Sequence, residues 1–557
     1  MKRYKVLGLS CAALALSAIN AEALFVSLVN PVPPPRPNPA PIRSATIMTT
    51  EGMRRLGPCW WREHRGQHVL YLEGDPYTRG FCNAALADGI LDLQHQALED
   101  AFHRVFPSRV AQFFVARAFV GIYRHLPDML SEADRLEILG LSEGRPDPWI
   151  HLAPTYGRVV FYHAAHEISQ AIVDNPLVAC TAFAATGTRT VDGHTLLART
   201  FDFEGGRVFD EHKVVIFVKP RVGYAFAHVA WGGMAGAVTG FNETGLGVVL
   251  NAAPSTRFDT EGRPTIFVLR SILNHAATID QAIDIARSAD VFISDIFTIA
   301  DAKSGELAAL EISPDGVGVR REAGQLMTTN HFLVPDPTNG SENRAQIEKR
   351  TTGRRLTRLR ELLKNHPLDV PRAIAIVRDR RLPRDRPAPL GHRGTIDALI
   401  AAHAVVFDLT TRTLYVSSFP HTLGPFVQYD FDEVFAGGFT DHGALPADDL
   451  LSNGRYAHLE EARKLVEEAA STDDEAAQGL LRSALERSSD YPPALLELAR
   501  RCMRTNDHPC ARSAYRRFLD LDPAYQKDAH EAREALETLG QPAATEEETS
   551  GSSGSTP

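Results

Sequence analysis

The chain has no excess of basic charge: 59 Lys and Arg stand against 69 Asp and Glu, a formal net charge of −10. That balance offers no electropositive surface, so nucleic acid is not an expected partner. Cysteine is scarce, six in 557 residues, which makes each one individually informative. No G-x-x-x-x-G-K-[ST] loop and no H-E-x-x-H pair occur, so neither a phosphate cradle nor a zinc-protease helix is expected. His163 and His166, beside Glu167, lack a third ligand at a recognised spacing and read as a helix face. No metal or cofactor is therefore expected, and a serine α/β-hydrolase is not expected either.

The N-terminus has Lys2, Arg3 and Lys5, then an apolar stretch from Val6 to Ile19 and a small-x-small step at Ala21-Glu22-Ala23. This is the layout of a signal peptide (1–23), too short for an ordinary membrane span. An exported protein, periplasmic or extracellular, is expected, with an uncleaved N-terminal anchor as the variant of that reading. A Pro-rich linker (24–50) follows. Residues 51–179 show mostly helical spacing, with one short strand near His68–Gly74, and read as a helical prosegment or small subunit. Beyond residue 180 the pattern switches to short strands such as KVVIFVKP, GLGVVLN, DIFTIAD and TLYVSSFP, with helices at 264–289, 343–364 and 369–379. Strands, then helices, then strands imply an α+β layered core over 180–440. Residues 455–540 are helical, and 492–523 have the Ala/Leu/Tyr spacing and closing Pro of a tetratricopeptide-like pair. The tail 541–557 has a disordered composition.

Cys11 falls in the signal segment. Cys59 with Cys82, and Cys502 with Cys510, form two candidate disulfide pairs for an oxidising compartment. That leaves Cys180, which opens a strand–turn–strand run, CTAFAATGTRTVDGHTLLARTFDFEGG, ending near Arg199 and Asp202. If the chain is cut at Ala179–Cys180, the thiol becomes a nucleophile and its own α-amine, which ordinarily titrates at about pH 8, becomes a base.

On these residues the chain resembles the N-terminal-nucleophile hydrolases, and within them the penicillin acyltransferase-like branch of self-cleaving cysteine amidases and acyltransferases. Further matches are Gly74-Asp75-Pro76-Tyr77-x-x-Gly80, the turn Gly240-Phe241-Asn242-Glu243-Thr244-Gly245-Leu246, and the T-N-H step at Thr329-Asn330-His331. The resemblance covers about residues 66–428. It implies a four-layer αββα fold and assigns Cys180 as nucleophile, Arg199 to favour the thiolate, and Asp202 to hold the α-ammonium through a turn that swings its carboxylate in. It places Asn251 and Asn330 at the oxyanion pocket and a second arginine in the run KRTTGRRLTRLREL, best matched by Arg355. Asn242 is expected to make the turn. The residue before the nucleophile is alanine, where the acyltransferases often have glycine.

The expected activity is transfer of an acyl group from a linear amide or thioester to water or an amine. A small-molecule amide or acyl substrate is the expected partner, with a protein partner on the helical repeats. Two alternatives stay open: an inactive scaffold presenting that helical module, and a ceramidase or phospholipase B-like lipid hydrolase.

Overall fold

The structure, a computed structural model, describes residues 30–38, 40–110, 112, 114–115, 124–150, 154–164, 178–254, 257–334, 340–364 and 366–540. The expected signal peptide, Cys11, His166, Glu167 and the tail from 541 lie outside the described residues. No helix among the described residues is long and apolar enough to cross a membrane.

Four strands open the described chain: β1 (Met48–Thr50), β2 (Met53–Leu56), β3 (Cys59–His64) and β4 (Gln67–Gly74). Next come β5 (Val178–Gly187), β6 (Gly193–Phe203), β7 (Lys213–Pro220), β8 (Phe226–Trp231), β9 (Thr239–Asn242) and β10 (Leu246–Ala252). The remaining long strands are β11 (Asp295–Asp301), β12 (Leu307–Ser313), β13 (Gly316–Glu322), β14 (Gln325–Thr328), β15 (Ala401–Asp408), β16 (Thr413–Ser417), β17 (Phe426–Asp430) and β18 (Ala444–Leu445). One 11-stranded sheet runs β1-β2-β3-β4-β7-β8-β9-β10-β11-β12-β13, and a 7-stranded sheet runs β14-β5-β6-β15-β16-β17-β18. All their pairings are antiparallel except β4 with β7.

The longer helices are α1 (Pro76–Leu86), α2 (Asp88–Val105), α3 (Glu132–Glu143), α4 (Thr155–Tyr162), α5 (Thr265–His275), α6 (Ile279–Arg287), α7 (Gly340–Lys349), α8 (Thr352–Leu363) and α9 (Val370–Val377). The sheets face each other through Val215, Phe217, Phe241 and Val249 on one side and Ala182, Leu197, Val405 and Phe407 on the other. Helices α1, α3, α5 and α6 cover the outer face of the large sheet. Helices α8 and α9 cover the outer face of the small one through Leu359, Leu363, Ile374 and Val377 against Phe183, Leu196 and Val406. The result is an α+β fold of four layers, αββα. Each fully buried Phe or Leu in these layers contributes about 1.5–3 kcal/mol, so apolar layering outweighs any single polar contact in holding it together.

Residues before the proposed cut are less helical than their spacing implies. Strands β1–β4 build one edge of the large sheet, and β4 pairs with β7 from His68–Val214 to Gly74–Pro220. The short runs of β1–β3 were obscured by charged residues on both faces, as at Arg54, Arg55, Arg62 and Glu63. The GDPY-x-x-G motif has a packing role: Asp75 caps α1 by accepting from Thr78 N at 2.9 Å. A Cβ at Gly80 would meet the carbonyl of Glu137 at 1.9 Å, so only glycine lets α1 and α3 close together.

Cys502 and Cys510 are disulfide-bonded. Cys59 and Cys82, expected as a pair, are instead buried free thiols. Each donates to a backbone carbonyl, Cys59 Sγ to Glu73 O at 3.7 Å and Cys82 Sγ to Leu56 O at 3.5 Å. The neighbouring Cys59 side chain holds the Cys82 thiol well above its usual range, with burial adding to the effect.

After residue 450 come α10 (Arg455–Ala470), α11 (Asp474–Arg487), α12 (Pro492–Arg504), α13 (His508–Asp520) and α14 (Gln526–Thr538). Their core of Leu459, Leu481, Leu495, Ala499, Phe518 and Leu536 also takes in Leu399 and Leu423 from the layered region. The helical unit is therefore fused to the sandwich by shared apolar contacts.

Candidate active site

Side chains alternate faces along a strand. Cys180 shares the parity of Ala182 and Ala184, which line the inter-sheet core; Arg199 shares that of Leu197 on the neighbouring strand. The registers Cys180–Phe201 and Ala182–Arg199 bring the two polar groups together. Both are fully buried.

Arg199 Nη2 donates to Cys180 Sγ at 2.8 Å. Its Nη1 donates to Thr239 Oγ1 at 2.7 Å and to Val238 O at 3.1 Å. The guanidinium also lies over the Phe201 ring, 4.5 Å from its centroid. Thr239 Oγ1 accepts from Arg199 and is also hydrogen-bonded to His403 Nε2, 2.9 Å away. His403 stacks flat on Phe201, with centroids 5.1 Å apart. Burial holds its pKa well down, so the ring is neutral.

The backbone nitrogen of Cys180 donates to Asn330 Oδ1 at 2.8 Å. Arg355 Nη2 donates to the same oxygen at 2.7 Å, and its Nη1 to Thr181 Oγ1 at 2.8 Å and to the Cys180 carbonyl. Two donors converging there require an oxygen, which fixes the orientation of the amide. Asn330 Nδ2 in turn donates to Ala252 O at 2.8 Å, and its backbone nitrogen to Thr352 Oγ1 at 2.8 Å. Thr352 opens α8, whose first turn carries Arg355 inward.

The expected donor roles of the two asparagines differ from this geometry. Asn330 faces Cys180 with its oxygen. Asn251 Nδ2 is turned to Thr328 Oγ1 at 3.1 Å and Thr329 O at 3.2 Å, while its Oδ1 has no hydrogen-bond partner among the described residues. Asp202 also differs: β6 continues through Phe203, so no turn swings the carboxylate in. It lies opposite Ala179 in the ladder, with the parity of Leu196 and Ala198 on the outer face. Its Oδ1 has no hydrogen-bond partner among the described residues. Burial raises its pKa to about 7, with Arg355 opposing. Burial likewise pushes the Cys180 thiol up, with Arg199 pulling it down and Asp202 raising it.

Other residues singled out by the sequence do structural work. Asn242 Oδ1 accepts from Thr244 N at 3.1 Å and its Nδ2 donates to Leu273 O and Ala276 O, which makes the turn. Arg358 is tied to Asp379 and Asp385. His163 Nε2 accepts from Ala235 N at 2.7 Å and its Nδ1 donates to Val159 O, so both ring nitrogens serve the fold. Gly140-Leu141-Ser142-Glu143-Gly144 has the letters of a serine nucleophile elbow, yet it closes α3, and Ser142 Oγ donates to Leu139 O at 2.8 Å. A strand-to-helix turn is what that motif needs. Sequence reasoning missed Thr239, His403 and Thr352. Thr239 and His403 sit in ordinary strand patterns and carry no spacing signal; Thr352, the first residue of α8, carries none either.

Residues 188–417 match the family model of acyl-coenzyme A:6-aminopenicillanic acid acyl-transferase, a match that begins just after Cys180. An uncharacterized protein of Archaeoglobus fulgidus is 24% identical over 316 residues, 49% of this chain and 51% of that protein. The chain thus spans about half the length of the curated relative it matches. Among solved structures, a Caenorhabditis elegans N-acylethanolamine-hydrolyzing acid amidase ortholog aligns at 16% identity over 42% of this chain and 93% of its own, with a TM-score of 0.31. A variant of the conjugated bile acid hydrolase of Clostridium perfringens aligns at 15% identity over 45% of this chain and 92% of its own, with a TM-score of 0.28. Residues 188–417, which hold Arg199, Asp202, Asn251, Asn330 and Arg355, thus carry the signature of the acyl-coenzyme A:6-aminopenicillanic acid acyl-transferase family, in line with the motif resemblance to N-terminal-nucleophile hydrolases.

Proposed function

We propose that this chain is a self-processing cysteine amidohydrolase or acyltransferase. Cys180 Sγ attacks the carbonyl carbon of Ala179; the new S–C bond replaces the C–N bond, whose nitrogen takes up a proton. Water then hydrolyses the thioester to a carboxylate at Ala179 and a free thiol. The released α-amine, with a pKa of about 8, accepts the thiol proton. The thiolate attacks a linear amide or thioester, and the acyl-Cys180 thioester passes its acyl group to water or an amine. Arg199 favours the thiolate. Asn330 Oδ1 orients the α-amine. Asp202 faces the same end of the strand and balances the ammonium.

The carrying observation is that the nitrogen and the sulfur of Cys180 each have a dedicated buried partner, Asn330 Oδ1 and Arg199 Nη2, both at 2.8 Å. A thiol that only fills space needs no buried cation beside it, since it packs as a small apolar residue. The ring cluster of Phe201, Phe203, Phe209 and Trp231 beside Arg199 suits an apolar acyl group. The family description, an acyl-coenzyme A acyl-transferase, favours the same class of substrate.

Denaturing electrophoresis and intact mass test the reading. Wild type should give two fragments split at Ala179–Cys180, and Cys180→Ala one chain. An intact wild type that forms no acyl-enzyme would favour the scaffold instead. A panel of penicillins and N-acyl amino acids against ceramides and phospholipids separates amide from lipid substrates. The mass of the mature chain also tests the exported location that goes with this proposal.

A further inference from the structure

Asp522, in the carboxy-terminal helical unit, takes part in contacts from three separate segments of the layered region. Its Oδ1 pairs with Arg354 Nη1 at 3.0 Å and its Oδ2 with Arg386 Nη2 at 2.8 Å. Its carbonyl accepts from Arg354 Nη1 at 3.2 Å and from His392 Nε2 at 2.9 Å. The histidine tautomer is fixed, because Nδ1 accepts from Gly394 N at 3.0 Å and the proton must sit on Nε2. Asp522 adopts φ 53°, the left-handed region that a non-glycine residue holds only at a cost, so this carbonyl is aimed by a constrained backbone.

Two of these arms lead toward Cys180. Arg354 precedes Arg355, which clamps the Cys180 carbonyl and Asn330 Oδ1. His392 precedes Arg393, which pairs with Glu204, and Glu204 lies just beyond Asp202. Arg355 is thus the chain neighbour of a direct Asp522 partner, and Asp202 lies at the end of a longer route through His392, Arg393 and Glu204. Tyr525, three residues on, lies within the fields of Arg355, Arg393 and Glu204. The shared apolar core at Leu399 and Leu423 holds the helical unit in place against this face.

We propose that the carboxy-terminal helical unit is part of the catalytic apparatus, with Asp522 acting as the positioning residue that holds Arg355 and the Arg393–Glu204 pair in register with Cys180. The proposal rests on Cys180 being the nucleophile. A helical unit serving only to bind a separate protein has no need of a contact to the helix turn that carries Arg355. An ion pair inside the unit, Arg501 to Asp474 at 3.0 Å, joins α12 to α11 and supplies a control.

The test uses the full-length, processed protein and follows alkylation of Cys180 by iodoacetamide against pH, together with kcat and KM on the best amide of the panel. In Asp522→Asn and Arg354→Gln, a displaced Arg355 no longer supports the thiolate. The alkylation profile should move to higher pH, with reaction near neutrality and kcat both falling about tenfold and KM little changed. Asp474→Asn should leave the profile in place, whatever it does to the melting temperature. If Asp522→Asn fails to fold, Arg354→Gln carries the same contact from the other side. Variant profiles that superimpose on wild type, or an equal displacement in Asp474→Asn, would overturn the positioning role. A wild-type thiol inert to iodoacetamide would refute the nucleophile reading underneath it, a result distinct from either.

Discussion

The guanidinium of Arg199 and the sulfur of Cys180 lie 2.8 Å apart on adjacent strands, both shut off from water. Burial favours the neutral thiol and the cation favours the thiolate, so reactivity depends on which influence prevails once the chain is cut. Arg199→Met removes the cation while filling much of its space. Alkylation of Cys180 at neutral pH should drop by about tenfold or more, since one pKa unit is a factor of ten, and self-cleavage should be lost. Arg199→Lys keeps the charge but cannot serve Cys180, Thr239 and Val238 together. It should recover only part of the reactivity. Full recovery by lysine would show that charge alone matters.

Thr239 and His403 stand behind that arginine. Thr239→Val removes the acceptor of Arg199 Nη1 and leaves a buried donor short of a partner, a loss of about 1–3 kcal/mol. The melting temperature should fall, and the alkylation profile should move to higher pH as Arg199 loosens. A change in melting temperature with an unmoved profile would leave Thr239 as a packing residue only.

The layered core was legible because strands such as KVVIFVKP and DIFTIAD are short, apolar and bounded by turn residues, and they occupy the expected positions at Lys213–Pro220 and Asp295–Asp301. Cys180, Arg199, Asn330 and Arg355 were legible by order and spacing, and they converge. What the sequence hid lies in the third dimension. Strand parity, a property of the ladder, sends Asp202 to the outer face. The oxygen-first orientation of Asn330 depends on two donors 150 and 25 residues away. Strands β1–β3 were masked by charges on both of their faces. The union of Asp522 with Arg354 joins segments whose separation no local pattern records.

The residues before the cut should remain bound after it. Strand β4 contributes a full ladder to the large sheet. Buried Glu137 of α3 pairs with Arg79 at 2.6 Å and, across the proposed cut, with Arg270 of α5 at 2.7 Å. The fragments should elute together in native size exclusion and separate only in denaturant. Glu137→Ala strands two buried arginines and should cost about 3–5 kcal/mol, read as a lower denaturation midpoint. Spontaneous loss of the fragment from the native protein would contradict this.

Asp202 gives the uncut chain a pH dependence of definite sign. Burial raises its pKa from 3.8 to about 7 in the folded state, so the folded chain holds a proton that the unfolded chain releases. The stability tied to that proton is fully present below about pH 4. It is lost as pH rises toward 7, at up to roughly 1.4 kcal/mol per pH unit. Above the folded pKa the carboxyl is ionised in both states and the deficit is constant. Asparagine mimics the protonated acid and cannot ionise. The comparison belongs in a Cys180→Ala background, where the chain stays whole. There, Asp202→Asn should match its parent at pH 4 in melting temperature and exceed it progressively up to pH 7–8. A difference between the two that stays flat across this range would mean that Asp202 is ionised in the folded chain throughout, and hence paired with a cation rather than isolated by burial.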